Sequence, residues 1–284
     1  MTDGTCSASP ATESGRDMTA RAFLVRGLLA GLIAGFAAFL VAHQVGEPQV
    51  DRAIALEEAA AADTHSHSEG SEEAGHSHAE PADGEDEGTT VSRSTQSTWG
   101  LLTGTLAVGL ALGGLVGLVS ASVLGRIGRL GPGQSTALVA AVGFVAVGLV
   151  PFLKYPATPP AVGNPDTIGS RTMEYFVFLL VSVAAAALAV LLGSRLSARY
   201  GGYVAVLAGA AAYLIAVSVV GLLMPTVNEV GDFPADTLWY FRRASLFTLA
   251  TLWAVIGIVL TGLVGRLFHT EEAALRRREL AATL

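Results

Sequence analysis

Six stretches of this chain, residues 22–45, 99–125, 134–153, 173–193, 202–224 and 244–265, are too long and too apolar to suit a water-soluble core. A hydrocarbon layer about 30 Å thick takes roughly 20 consecutive apolar helical residues, and each run reaches that length. Backbone groups left unpaired in lipid are costly, so each run reads as a helix. The alternating pattern of an outer-membrane barrel is absent. The expected fold is therefore all-α, a polytopic helical membrane bundle of six transmembrane helices. Composition agrees: 14% of residues are charged and mean hydropathy is +0.53, whereas soluble domains carry about 25% charged residues.

Short cytoplasmic loops are enriched in Lys and Arg, which orients the bundle. Arg16 and Arg21 precede the first run and Arg26 lies in its first turns, Arg126 and Arg129 join the second and third, Arg195 and Arg199 join the fourth and fifth, and Arg266 and Arg276 to Arg278 follow the last. These are 11 of the 17 basic residues, so that side is assigned to the cytoplasm together with both termini. Residues 1–21 read as a disordered tail, within which Met18 is a second candidate start, and residues 266–284 as a basic tail. A cleaved signal peptide is the rival reading of the first run, which lacks a good small-x-small cleavage site. The outer side receives residues 46–98, an acidic loop with 13 Asp/Glu against Arg52 and Arg93. That charge excludes nucleic acid as a partner class. A lone cysteine, Cys6, excludes an intrachain disulfide and a cysteine-built metal cluster.

Gly27, Gly31 and Gly35 recur every four residues, as do Gly109, Gly113, Gly117, Ala121 and Gly125. Small residues at this spacing let helices approach closely in lipid, so the first two spans are expected to pack through them. Two further steps of four reach Phe39 and His43, which places His43 on the protein-facing side at the outer end of the first span.

Two polar features point to chemistry. The acidic loop holds His65 and His67, then His76 and His78, as two His-Ser-His units among carboxylates that include Glu72 and Glu73. Imidazole with carboxylate suits divalent zinc, nickel, cobalt or copper. Composition cannot give the loop a packed core, so it is expected to be disordered without metal, and a solvating acidic tether is its plain alternative. The second feature lies at the outer ends of the spans, where charge is costly unless it faces a cavity or a partner. It comprises His43, Gln44, Glu47 and Asp51; Lys154, Tyr155 and Pro156; Asp166, Arg171 and Glu174; and Asn228, Glu229, Asp232, Arg242 and Arg243. One reading makes His43, Glu47, Asp51 and Glu229 metal-ligating, with Lys154, Tyr155, Pro156, Asn228 and Asp232 as vestibule or gating residues. The other makes them interfacial anchors and salt bridges. Prolines at 156, 159, 160 and 165 predict a rigid, non-helical ridge. There is no G-x-x-x-x-G-K-[ST] loop, H-E-x-x-H or G-x-S-x-G motif, and no catalytic set is visible, so an enzyme is not expected.

Residues 46–57, the stretch from Phe152 to Pro156 with Pro159 to Gly163, Met224-Pro225 with Asn228 to Val230, and Asp232 to Ala235 with Leu238-Trp239 together resemble the CbtA family, over nearly the whole chain. The resemblance implies a probable cobalt transporter subunit of the prokaryotic plasma (inner) membrane, cobalt uptake linked to cobalamin biosynthesis, and a small single-span partner, CbtB, with a histidine-rich motif. Five spans are described for the family, whereas six are counted here. The histidine tract of this chain would duplicate or replace the capture role of that partner. The expected function is thus a divalent-metal uptake subunit whose loop captures the ion and whose outer vestibule admits it. Its partners would be lipid, a CbtB-like subunit and a further copy of the chain. No cofactor is expected to be held permanently, the metal being cargo. The alternative is a non-transporting metal-binding scaffold or sensor.

Overall fold

The computed structural model describes residues 10–66, 92–127 and 130–283, and among them every regular element is a helix. Six helices are long and apolar enough to cross a membrane: α1 (Ala20–Ala61), α2 (Arg93–Val123), α3 (Pro132–Lys154), α4 (Pro165–Tyr200), α5 (Gly202–Leu223) and α6 (Ala235–Thr270). Their outward faces are what lipid would cover, with Val206, Leu222, Leu223 and Ile258 exposed by 71%, 86%, 80% and 73%.

Two segments expected to be irregular are helical instead, and the basic tail continues a helix. The backbone is helical from Pro10, Glu47–Ser66 prolongs α1 beyond its apolar run, and the last helix continues to Ala282. Propensity explains the second case. Leu56, Glu57, Glu58 and Ala59 to Ala62 are strong helix formers with no breaker among them. The acidic segment is therefore entered along a rod, and the histidine tract begins where the rod ends.

α1 and α2 are antiparallel and packed through their glycines. A Cβ on Gly35 would lie 2.6 Å from the Thr105 carbonyl oxygen, and one on Gly117 equally close to that of Phe23. At Gly27, Gly31, Gly109 and Gly113 it would overlap a carbonyl oxygen of the facing helix outright. α6 lies across α1 and α3, enclosing Phe23, Ala34, Trp253, Ile256 and Leu260. The Phe23 and Phe268 rings meet edge to face at 6.2 Å, so the start of α1 and the end of α6 share one end of the bundle. Gly143 and Gly148 of α3 make room for the Trp253 indole.

α4 and α5 form a second antiparallel pair, closed where Gly209 meets the Ala189 carbonyl. It joins the rest through α3, around Ala146, Phe178, Tyr213 and Val217. Towards the α2–α3 and α4–α5 turns, α3 parts from this pair and leaves an apolar groove of about 1030 Å³ bordered by Leu138, Val142, Ala189 and Gly209.

Three helices open into wider π-helical stretches, at Ala42–Gly46 in α1, Gln96–Gly100 in α2 and Phe144–Leu149 in α3. Such stretches interrupt the regular ladder and free carbonyls for other donors. Two of them are used in this way. The Ser182 hydroxyl donates to the Ala146 carbonyl at 2.7 Å and lies 2.9 Å from the Tyr213 hydroxyl, which ties α3, α4 and α5 together. The other meets His43.

Candidate functional site

His43 sits in the π-helical stretch of α1, half-buried, on the face that the glycine spacing assigned to it. Its Nδ1 is 3.1 Å from the carbonyl oxygen of Ser97, within the π-helical stretch of α2. A carbonyl only accepts, so Nδ1 carries the proton. Nε2 then keeps its lone pair, the tautomer in which histidine ligates metals with its other nitrogen held by a carbonyl. The ring stacks on Phe39, centroids 5.6 Å apart.

One and two steps of four beyond His43 stand Glu47 and Asp51, spaced to share a helical face. Arg93, at the start of α2, holds both: one guanidinium nitrogen pairs with Glu47 and lies 3.0 Å from Asp51. Glu47 is the sheltered member, with 14% of its side chain exposed against 63% for Asp51. Spacing alone gave no sign of Arg93, because it lies 42 residues from Asp51. Its signal was the near-absence of other basic residues from an acidic loop. Among the described residues no three His, Cys, Asp or Glu side chains converge closely enough to hold a metal.

The end of α3, the start of α4, the α5–α6 connection and the start of α6 build a separate cleft of about 280 Å³. Its wall includes Lys154, Tyr155, Pro156, Arg171, Glu229 and Arg242. Prolines shape it as expected: residues 155–164 are non-helical, joining α3 to α4 as a ridge. The ridge is pinned to the α5–α6 connection. Lys154 Nζ donates to the Met224 carbonyl at 3.2 Å, Tyr155 donates to that of Pro225 at 3.0 Å, and Arg242 Nε donates to that of Ala157 at 3.4 Å. Burial, and then the Glu174 carboxylate, push the Tyr155 phenol above its ordinary pKa, which keeps it a donor.

Glu229 is the fastener. Its Oε2 accepts from the Asn164 amide at 2.8 Å and the Thr167 hydroxyl at 3.0 Å, with Arg171 Nε at 3.5 Å. The Asn164 amide above all, then the Thr167 hydroxyl, hold its carboxyl below the usual carboxylate range against the opposing loss of hydration, and the Arg171 charge adds to them. Gly163, at φ +114°, leaves the space into which the Arg171 guanidinium packs.

The expected outer residues thus fall into two groups. Lys154, Tyr155, Pro156 and Glu229 share the cleft, whereas His43, Glu47 and Asp51 belong to α1 and are not part of its wall. Asn228 and Asp232 are exposed beside the cleft without lining it. His67, His76, His78, Glu72 and Glu73 lie outside the described residues, and of His65 only the helical backbone is described.

Comparison with known proteins gives one match. The family described as probable cobalt transporter subunit (CbtA) matches residues 20–265, which takes in all six apolar helices up to the last turns of α6. No curated protein and no solved structure matches the chain.

Proposed function

The chain belongs to the CbtA family of probable cobalt transporter subunits, and from that premise we propose how it handles the ion: the outer loop captures a divalent metal, cobalt by family, and α1 leads it to the bundle. The observation that carries this reading is His43. A half-buried imidazole whose Nδ1–H is spent on a backbone carbonyl offers Nε2 as a ligand, and Glu47 and Asp51 prolong the same face outward.

Helix continues from His43 through Glu47 and Asp51 to Ser66, at about 1.5 Å per residue. Captured metal would move from the histidine tract down this acidic face. Arg93 is the resident counter-charge of Glu47 and Asp51, which an arriving divalent cation displaces. This arrangement requires the acidic loop outside and both termini in the cytoplasm of a prokaryotic cell. A CbtB-like partner would complete the transporter. In this reading Glu229 and its cleft hold the outer connections in place and are not ligands to the bare ion, so Glu229→Gln lowers transport at every metal concentration by loosening that frame.

The test is cellular cobalt, nickel and zinc content by elemental mass spectrometry at submicromolar supply, with and without the chain and with the small partner added. Selective cobalt gain that is lost in His43→Ala supports the reading. Unchanged content of all three metals, despite membrane insertion and with the partner present, rejects transport in favour of a metal-binding scaffold.

A further inference from the structure

The cleft between the end of α3, the start of α4 and the α5–α6 connection with the start of α6 has the wrong charge for a bare cation. Lys154, Arg171 and Arg242 line it, each half-buried and each from a different helix, against the single lining carboxylate of Glu229. Glu174, close enough to Tyr155 to act on its phenol, still leaves the cations in excess. Glu229 is also committed, through Oε2, to Asn164, Thr167 and Arg171.

The cations are less fully engaged. Arg242 gives its Nε to Ala157, Lys154 one bond to Met224 and Arg171 its Nη2 to Asn164. Both terminal nitrogens of Arg242, Nη1 of Arg171 and two Lys154 hydrogens therefore have no acceptor among the described residues. Neither Lys154 nor Arg242 has a carboxylate within salt-bridge distance among those residues. Unspent donors on two guanidinium groups and one ammonium group, converging on one small cleft, match a tetrahedral oxyanion, since arginine forks pair with its oxygens two at a time. Of the remaining wall, Pro156, Val162, Ile168, Val227 and Val230 are apolar, and Tyr155, Thr158, Thr172 and Tyr175 carry hydroxyls.

We propose that this cleft binds a phosphate group, held by Lys154, Arg171 and Arg242. The same chemistry is offered by inorganic phosphate from solution and by the headgroup of a phospholipid, since the cleft lies at the helix ends where headgroups would be. The site is independent of the metal path along α1, and its failure would leave that reading untouched.

The test uses the full chain in a neutral maltoside detergent, with bound species counted by native mass spectrometry and thermal unfolding followed by circular dichroism. Inorganic phosphate is titrated against chloride at matched ionic strength. In parallel, vesicles of a phosphate-free glycolipid are compared with the same vesicles containing phosphatidylglycerol. Phosphate binding that falls at least tenfold in Lys154→Gln and in Arg242→Gln supports a site for the free anion. Retention of phosphatidylglycerol that falls in the same variants supports a headgroup site. Arg243→Gln, whose guanidinium lies over the Tyr240 ring and lines no part of the cleft, should behave as the parent. Absence of both ligands from the parent, or equal binding by all variants, overturns the proposal. Binding of cobalt(II) that Glu229→Gln abolishes also overturns it, because the cleft would then be a cation site.

Discussion

Gly109 and Gly104 stand on the same helix five residues apart and should respond oppositely to the same methyl group. A Cβ on Gly109 would lie 2.9 Å from both the Cα and the amide nitrogen of Gly35, besides overlapping the Gly31 carbonyl. Ordinary carbon contacts need about 3.5 Å or more, so α1 and α2 would have to part by roughly 0.6 Å on that contact alone, and by more at the carbonyl. A gap of about 0.5–1 Å forfeits a quarter to a half of each dispersion contact. In lipid that loss is not recovered by hydrophobic attraction, because the tails are as apolar as the helices. Overpacking of this kind costs about 1–3 kcal/mol. At Gly104 nothing lies within 4 Å of the added carbon, and alanine there should gain up to about 0.5–1 kcal/mol through lower backbone entropy. The two variants should therefore differ by about 2 kcal/mol or more. Reversible unfolding in mixed micelles of maltoside and dodecyl sulfate, followed by circular dichroism, measures the gap. Equal stability of Gly109→Ala and Gly104→Ala would refute glycine-mediated contact between α1 and α2.

Deleting residues 63–88 removes the four histidines of the tract and should weaken cobalt uptake at scarce supply while leaving it normal at abundant supply; equal loss at both, measured as cellular cobalt, contradicts capture. That capture should also fade on acidification through about pH 6.5 as the imidazoles protonate. Arg93→Gln frees Glu47 and Asp51 from a guanidinium with 37% of its side chain exposed. Exposed pairs are worth ~0.2–1 kcal/mol each, so cobalt(II) affinity measured by calorimetry should rise about two- to thirtyfold, and an unchanged affinity would remove both carboxylates from the path. Glu229 has a lowered pKa when folded, so its hold on Asn164 is complete above the ordinary carboxylate value of about 4.3 and is lost only as pH falls through the lower folded value. Hydrogen exchange at the Asn164 amide should stay slow down to that range and become fast at neutral pH in Glu229→Ala, which removes the acceptor; identical exchange in parent and variant would show that the bond does not hold the ridge. Ser182→Ala leaves the Ala146 carbonyl and the Tyr213 hydroxyl without their shared partner, at a cost of about 1–2 kcal/mol, read by the same micellar unfolding.

The spans and the α1–α2 contact were legible because both depend on patterns within one helix: apolar length against a fixed bilayer thickness, and glycine every fourth residue. His43 was placed by the same periodicity. What could not be read was any pairing that depends on where separate helices end. Arg93 meets Glu47 and Asp51 because α1 is prolonged past the membrane and α2 begins early, whereas the apolar runs alone leave those three residues in a single structureless loop. Glu229 and His43 share a sign of function in the sequence, since both are polar and both lie at outer ends, yet they close different ends of the helix-pair network. α1 pairs with α2 and α6, whereas Glu229 is drawn to the α3–α4 ridge by Asn164 and Thr167.

That separation changes what the charges can do. Grouped by sequence, the outer residues average to a weakly acidic rim suited to any cation. Grouped by space, they become an acidic face with one histidine whose tautomer is fixed, and a cationic cleft whose only lining carboxylate is already bonded. A divalent ion is attracted to the first and repelled by the second, so the two sites sort opposite charges at one end of the same bundle. On the path proposed above, an ion captured by the loop would reach the membrane along α1, on the side of the glycine-packed pair, where the seam of Gly31, Gly109 and Gly113 holds His43 against Ser97.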